Sequence, residues 1–519
     1  MSAAATPQRS VGQPFLGRIA SLAMPLAALA LGGMVLATLW VSHGWPLVHD
    51  APLMHYVVFL MDHGRAPYRD IIDINMPGAY MTEWLAVRVL GGGAFGWWVW
   101  DVLIGAGVVA ACVWIAGPQR RAAGAAAGLL GCMTHLADGA YNLGQRDWLL
   151  AALLLGAFGC LFEAIRRRQA AWMAGFMALC GVAASIKPPV AAIAVCFMAL
   201  ACWMARPRTP EAPSIGGGPA AVLGWSVLGG LVPAAIVAAF LLRWGVVGDF
   251  LGTMHGLVAW YATLQRASAA ALAHKVLVPL GMTAGALVLF ALGRGWRRWD
   301  SGLLLLAGLA GAALFLIQGK GWEYHRYSEF VFLLLWGMLE LDRGVRQAGL
   351  QRVVALGWLA VTVALFGPDL VKRAADRSYS MRPIASLEQD LRRLGGPSLS
   401  GKVQCLDMTM GGCINVLYRL KLVQDTGFMY DFYLFPKTAN AVVVPLRARF
   451  LQQITRSPPK VIVISAHNWP GDTLGYDQLD RWPAFTDLLR RNYRLVRELP
   501  SLPQDAGYRI YALDGAGGT

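Results

Sequence analysis

GWPLVHDAPLMHYVVFLMDHGRAPYRDIIDINMPGAY, residues 44–80, lies between two long apolar segments and yet carries Asp50, Asp62, Asp70 and Asp73 together with His49, His55 and His63. Carboxylates this dense beside hydrocarbon cost desolvation energy, so a stretch that keeps them is read as functional. Asp50-Ala-Pro opens an apolar run that closes at Gly64, and Asn75-Met-Pro opens a second that closes at Gly91-Gly92-Gly93. Asp or Asn ahead of a proline suits a helix start and glycine suits its end. The stretch therefore reads as two short helices capped by Asp50 and Asn75, lying on a membrane surface and joined by an acidic turn through Arg65, Pro67, Tyr68 and Asp70. Trp84, Trp97, Trp98 and Trp100 are placed as interfacial anchors.

The chain around it has 519 residues, of which 56% are hydrophobic and only 14% charged. Soluble domains carry about 25% charged residues, so the composition gives an α-helical polytopic membrane protein. Apolar runs of spanning character occur near residues 19–41, 95–116, 122–137, 148–163, 170–186, 188–204, 219–241, 271–292, 302–317, 329–341 and 353–367. Several fall short of the ideal length, and the expectation is about 11 transmembrane helices. The first run exceeds the roughly 7–15 residues of a signal-peptide core, so it reads as an uncleaved span. Loops holding Arg9, Arg120, Arg121, Arg166, Arg208, Arg294, Arg298, Arg343 and Arg346 are short and basic, while the alternate loops mix signs. That asymmetry puts the N-terminus in the cytoplasm. All nine histidines, His467 among them, then fall on the outer side or at the outer membrane edge. The net charge of +15 follows from topology and anionic lipid rather than from nucleic acid, for which no motif is present.

After residue 367 the character changes. Segments 402–406, 460–464 and 508–512 read as strands, and 387–394, 446–455 and 485–493 as helices. The division is a membrane domain over residues 1–367 and a small soluble α/β domain over 368–519, placed outside the cytoplasm. Of eight cysteines, six fall in apolar segments and Cys405 and Cys413 in the tail, where they could pair in an oxidising compartment.

Three more motifs sit at the outer edge. Tyr141-Asn142-Leu143-Gly144-Gln145-Arg146-Asp147 directly precedes a span. Ser185-Ile186-Lys187-Pro188-Pro189 interrupts a long apolar stretch, and two proline rings make it a turn between two helices. Gln318-Gly319-Lys320-Gly321-Trp322-Glu323-Tyr324-His325-Arg326 is a glycine-broken turn with cations, an acid and aromatics. The segment 243–275, with Asp249, His255, Trp260 and Tyr261, reads as another surface helix.

A long first outer loop with an acid just after the first span, a Gly-x-x-Pro-Tyr-x-Asp turn (Gly64, Pro67, Tyr68, Asp70) and a helix opened by Pro77-Gly78 are the features of a known group. In them, residues 15–370 resemble the C-type membrane glycosyltransferases. The nearest likeness is to bacterial members of the dolichyl-phosphate-mannose protein mannosyltransferase superfamily, which include transferases that add aminoarabinose or galacturonate to lipid A. The resemblance implies a bacterial inner-membrane location, a polyprenyl-phosphate-linked sugar donor, an outward-facing site and inversion at the anomeric carbon. It maps the base onto Asp50. His49 stands where many relatives carry a second acid, and Asn75 where many carry a lysine.

The residues suit that chemistry on their own terms. A sugar hydroxyl needs a carboxylate to take its proton as the bond forms. Asp50 is the first candidate, with Asp70 and Asp73 as alternatives. Charge developing on a leaving lipid phosphate needs cations, and Lys187, Lys320, Arg326 and Arg146 lie at the right edge. His49, Asn75, Asp147, Trp322, Glu323, Tyr324 and His325 are the candidate contacts to sugar or acceptor. No cofactor is expected; Asp73 is the one candidate to hold a divalent metal, without a second ligand set at suitable spacing. The partners expected are a lipid-linked donor, an extracytoplasmic acceptor (lipid A, another glycan or protein) and membrane lipid. The competing readings are an O-antigen ligase-like transferase, a transporter and a non-catalytic membrane subunit.

Overall fold

The computed structural model describes residues 13–515 apart from 207–208, 210–211, 378, 409–411, 467–474 and 503–504, with side chains from Leu22 onward. Arg9, Arg208 and His467 lie outside the described residues. The helices in the first half are α1 (Gln13–Ser42), α2 (Asp50–Asp62), α3 (Pro77–Leu90), α4 (Ala94–Ala116), α5 (Arg121–Ala137), α6 (Arg146–Arg166), α7 (Trp172–Ile186), α8 (Val190–Met204) and α9 (Gly218–Trp244). There follow α10 (Val247–Thr253), α11 (Ala259–Thr263), α12 (Ala269–Met282), α13 (Ala284–Leu292), α14 (Trp299–Gln318), α15 (Tyr327–Arg346), α16 (Leu350–Val361) and α17 (Gly367–Ala375).

Each expected apolar run is helical, though 271–292 is divided between α12 and α13 and 353–367 passes from α16 through a π turn into α17. Six helices or continuous helical runs are long and apolar enough to cross a membrane, and a seventh span results if α12 and α13, bent by 65°, count as one. This defines a multi-pass membrane protein. The prolines end α7 at Ile186 and start α8 at Val190, so the turn at Lys187 forms as the sequence requires. The last helical run continues from Leu350 to Ala375, carrying past residue 367 before the soluble fold starts.

The basic loops gather at one end of the bundle. Arg120 reaches Asp300 at 3.0 Å, Arg346 donates to the Gln119 carbonyl at 3.2 Å, and Arg298 and Arg343 both pair with Glu340. The opposite end carries residues 44–80, the start of α6, the Lys187 turn and the tail.

The tail holds α18 (Arg382–Arg393), β1 (Val403–Leu406), α19 (Cys413–Leu420), α20 (Val443–Arg456), β2 (Val461–Ser465), α21 (Pro483–Asn492), β3 (Tyr493–Leu499) and β4 (Tyr508–Leu513). The sheet order is β1-β2-β4-β3, with β1 and β2 parallel and the other pairs antiparallel. Tyr493, expected at a helix end, starts β3 instead. Cys405 and Cys413 are disulfide-bonded, with Cα atoms 6.0 Å apart.

Residues 44–80 are not a free surface loop but are covered by the tail. Leu53, Tyr56, Val57, Leu60, Ile71 and Tyr80 share one core with Leu387, Leu406, Phe428, Tyr433 and Ile462 of the tail. Helix α2 buries side chains on all its faces, which suits a helix enclosed by protein rather than an amphipathic surface helix. Helix α3 does keep an outer face, with Trp84, Leu85 and Val89 exposed. Trp97 is not an interfacial anchor: it is buried and donates to the Leu143 carbonyl at 2.8 Å. The 243–275 segment breaks into α10, a π turn and α11 rather than one surface helix, and Leu257 is buried against the tail's core.

The seam between tail and loop is a backbone contact: the Ile72 amide donates to the Gly427 carbonyl at 2.7 Å. A Cβ on Gly427 would lie 2.1 Å from the Asp70 carbonyl oxygen, a backbone atom that cannot swing away. Gly427→Ala is expected to cost about 1–3 kcal/mol and loosen the tail from the loop, read as faster proteolysis between the two.

Asp407 follows β1, buried, and its Oδ2 accepts the Cys413 amide at 2.7 Å. Burial, and then the Asp431 carboxylate, push its acid group up to about 7. A folded-state value above the unfolded one, about 4, makes the domain most stable where Asp407 is protonated in both states. Its contribution falls as pH rises from about 4 to about 7 and is flat above. Thermal unfolding of Asp407→Asn should lose that slope and be more stable than wild type at pH 8.

Candidate active site

The acidic turn closes on itself. Gly64 and Tyr68 take positive φ of 78° and 66°, and Asp70 Oδ2 accepts the Ala66 amide at 2.9 Å. Asp70 thus serves the turn, with Arg69 3.8 Å away. Asp73 is fully buried: its Oδ1 accepts the Ile74 amide at 2.7 Å, and its Oδ2 accepts Asn75 Nδ2 at 2.8 Å and Tyr80 Oη at 2.9 Å. Asn75 is therefore not a helix cap. The residue before α3 is Met76, and the Asn75 side chain faces Asp73 and Arg146.

Asp50 is likewise the first residue of α2 rather than its cap, which is His49 at φ 61°. Its Oδ2 accepts Gln145 Nε2 at 3.1 Å and Arg146 Nη2 at 3.2 Å. Gln145 caps α6 and Arg146 begins it, so the start of one apolar helix holds the start of another. Arg146 Nη1 also donates to Asn75 Oδ1, so one guanidinium joins Asp50 to the segment bearing Asp73. The next residue, Asp147, pairs with Lys187 Nζ. Gly78 brings α3 against Ser185, two residues before Lys187; a Cβ there would lie 2.1 Å from Ser185 Oγ. Lys187 Nζ lies 6.0 Å from the Tyr324 ring centroid.

Reachability separates the acids. The side chains of Asp50, Arg146 and Lys187 keep 18%, 20% and 22% of their surface, while Asp73 keeps none. Charge separates them too. Burial raises the Asp50 acid group, but His49, Arg146, Gln145 and Lys187 outweigh it, so the group sits below the usual carboxylate range. Burial raises Asp73, and its hydrogen bonds only partly oppose that. Asp50 is the ionised, accessible carboxylate, and Asp73 holds Asn75 and Tyr80 in place. Among the described residues no three His, Cys, Asp or Glu side chains converge as a metal-binding set.

The glycine-broken turn forms the next wall. Lys320 Nζ donates to the carbonyls of Tyr261 and Leu264 and stands 4.6 Å from the Tyr261 ring centroid. Arg326 pairs with Glu323 and donates to the Lys275 carbonyl at 2.9 Å, and Glu323 pairs with Lys275 at 2.6 Å. These two cations tie the turn to residues 261–275, whereas Arg146 and Lys187 belong with Asp50. Trp322, Tyr324 and His325 pack on one another, with Tyr324 and His325 ring centroids 4.7 Å apart. Burial, and then Lys187, Arg146 and Lys320, hold the His325 imidazole well below its usual value, so it is neutral.

Sequence reading missed the roof. Tyr430 and Tyr433, from the tail segment Phe428–Phe435, are buried. Burial, and then the nearby Asp73 and Asp50 carboxylates, push the Tyr430 phenol well up. Phe432 stands 5.7 Å from Tyr261, ring to ring. The signal available was the aromatic density of Phe428-Met429-Tyr430-Asp431-Phe432-Tyr433, but nothing in it names the loop it covers.

A helical membrane bundle, a long loop after its first helix that carries the acids, and a terminal α/β domain closing over that loop make up a fold shared with solved membrane proteins. In particular, the chain is similar to the crystal structure of ArnT from Cupriavidus metallidurans bound to undecaprenyl phosphate, with a TM-score of 0.57 and 13% identity over 95% of this chain and 98% of that one. It is also similar to the archaeal oligosaccharyltransferase AglB from Archaeoglobus fulgidus in complex with an inhibitory peptide and a dolichol-phosphate, with a TM-score of 0.52 and 12% identity over 98% of this chain and 75% of that one. No family model and no curated protein matches the chain by sequence.

Because Arg146 holds both Asp50 and Asn75, its loss unpairs two elements at once. Arg146→Lys, which keeps the charge and removes the fork, should lower turnover by about 10- to 100-fold, since a point-charge ammonium lacks the two separated, coplanar nitrogens that reach Asn75 and Asp50. The measurement is the initial rate of label transfer in membranes, with circular dichroism of the purified variant to verify the fold.

Proposed function

We propose that this protein is a membrane glycosyltransferase that moves a sugar from a polyprenyl-phosphate-linked donor to an acceptor hydroxyl outside the cytoplasm. The observation that carries the reading is the joint placement, in one accessible site, of the ionised Asp50 with Arg146 and Lys187. Two supports come from outside the chain: the fold shared with ArnT, which binds undecaprenyl phosphate, and with AglB, whose complex holds a dolichol-phosphate and a peptide. The end opposite the arginine-rich loops is then the outer face, as the positive-inside rule requires.

In this mechanism Asp50 takes the proton of the acceptor hydroxyl as its oxygen attacks the anomeric carbon. The bond from that carbon to the phosphate oxygen breaks, and the departing phosphate takes the electron pair. Attack from the face opposite the phosphate inverts the anomeric centre. Arg146 and Lys187 meet the developing charge; both are already fixed by Asp50 and Asp147, so little reorganisation accompanies the reaction. Asp73 and Asn75 position Arg146, and Tyr324 and His325 line the side of Lys187. Lys320 and Arg326 act through the turn they brace. The acceptor is a glycan, lipid A or protein hydroxyl.

The test is transfer of label from a radiolabelled polyprenyl-phosphate-sugar pool in membranes, wild type against Asp50→Asn. Loss of a general base is expected to lower the rate by about 100- to 10,000-fold. Undiminished transfer in the variant would remove Asp50 from the mechanism. Wild-type inactivity with every monophosphate donor, but activity with a diphosphate donor, would favour a ligase-like transferase instead.

A further inference from the structure

At the basic end of the bundle, α13, α15, the start of α16 and the turn from Gly293 to Arg298 line a half-open cavity of about 240 Å³. Arg294, Arg298, Arg343, Glu340, Gln347 and Gln351 supply its polar lining. Helix α14, with 20 residues, separates it from the Lys320 turn by about 30 Å of helix, so it is a different site from the one around Asp50.

The charges in it do not cancel. Glu340 is the one acid in the lining, and Arg298, Arg343 and Ser301 Oγ all bond to it. Arg343 is held further by Asp300, which Arg120 also reaches at 3.0 Å. Arg294 forms no ion pair among the described residues. It follows the last turn of α13 in a left-handed conformation, φ 50°, which sets it at the cavity rim. Arg298 Nε lies buried with no hydrogen-bond partner. An unspent guanidinium charge, an unspent N–H and two carboxamides form a donor set for an oxyanion of phosphate type.

The surroundings show which phosphate. Leu292, Trp296, Leu350 and Val353, on the elements that frame the cavity, are 44%, 61%, 65% and 68% exposed. Side chains of that kind on the outside of a membrane bundle face hydrocarbon, and tryptophan marks the headgroup level. A free anion would gain nothing from them. We propose that this cavity is a binding site for the phosphodiester headgroup of an anionic phospholipid, with Arg294, Arg298, Gln347 and Gln351 as headgroup donors and the exposed apolar side chains as the lane for its acyl chains.

The test uses the full-length protein purified in a neutral detergent. Its Tm is followed while dioleoyl-phosphatidylglycerol, dioleoyl-phosphatidylcholine or inorganic phosphate is added at constant ionic strength. Phosphatidylglycerol should raise Tm and the other two should not. Arg294→Glu should need about tenfold more phosphatidylglycerol for the same rise, a loss of about 1.4 kcal/mol. Arg297→Glu, three residues on and outside the lining, should titrate as wild type. Arg294→Gln serves as the milder variant if the charge reversal fails to fold. Equal shifts with phosphatidylcholine, or equal effects of reversing Arg294 and Arg297, would overturn the site. A shift reproduced by inorganic phosphate alone would overturn the lipid assignment.

Discussion

Arg146 is the point through which the acids of this protein are held. It begins α6, an apolar helix largely buried inside the bundle, so its guanidinium sits where apolar packing gives way to the enclosed loop. One fork meets Asp50, the other Asn75, and Asn75 in turn holds both oxygens of Asp73. A charge at that depth is costly unless it is paired and its remaining N–H groups are used. Here the pairing also fixes the geometry: two segments far apart in the loop are locked to the start of α6. Asp147, one residue on, does the same for Lys187, so two consecutive residues of one helix position the carboxylate and both cations.

The second constraint is the shared core between the first loop and the tail. Helix α2 has apolar residues on every side, and only a cover from above can remove them all from water. The tail supplies it. Asn415 donates to the Leu47 carbonyl at 2.9 Å, and Tyr56 Oη donates to the Leu422 carbonyl at 2.8 Å. The disulfide between Cys405 and Cys413 closes the base of α19, the helix that lies against α2. The α/β domain is thus part of the wall around Asp50, and a site that exposes charge at a membrane edge gains a low-dielectric lid in which electrostatic stabilisation is strengthened.

The two ends of the bundle use arginine differently. At the site end, half-buried Arg146 holds Asp50 and Asn75, and buried Arg326 pairs with Glu323 and donates to the Lys275 carbonyl. At the other end arginines outnumber the acids that pair with them, and Arg294 lines the cavity without an ion pair among the described residues. The rule that relates basic loops to topology accounts for their sign. It does not account for Arg294, which has no ion pair among the described residues, lining one cavity with the buried and unpartnered Arg298 Nε, and that combination is what points to a ligand.

The sequence by itself determined the helices of the bundle, because runs of about 20 apolar residues have no other stable form in a bilayer. It also determined the break at Pro188-Pro189, where two residues lack the amide a helix needs, and strands β1, β2 and β4, whose apolar runs are too short for an ordinary helix. It identified Asp50, Arg146 and Lys187 as residue types suited to the chemistry. Only the tertiary structure decided that these three meet. The Arg146–Asp50 contact spans 96 residues and the Lys187–Asp147 contact 40, and no local pattern encodes such partners. The same holds for Lys320, whose charge is directed to backbone carbonyls, and for Asp73, closed off by Asn75 and Tyr80 where a composition-based reading sees a solvated turn. Tyr430 and Tyr433 entered the site because the tail must bury the apolar faces of α2, a demand that exists only once the chain is folded.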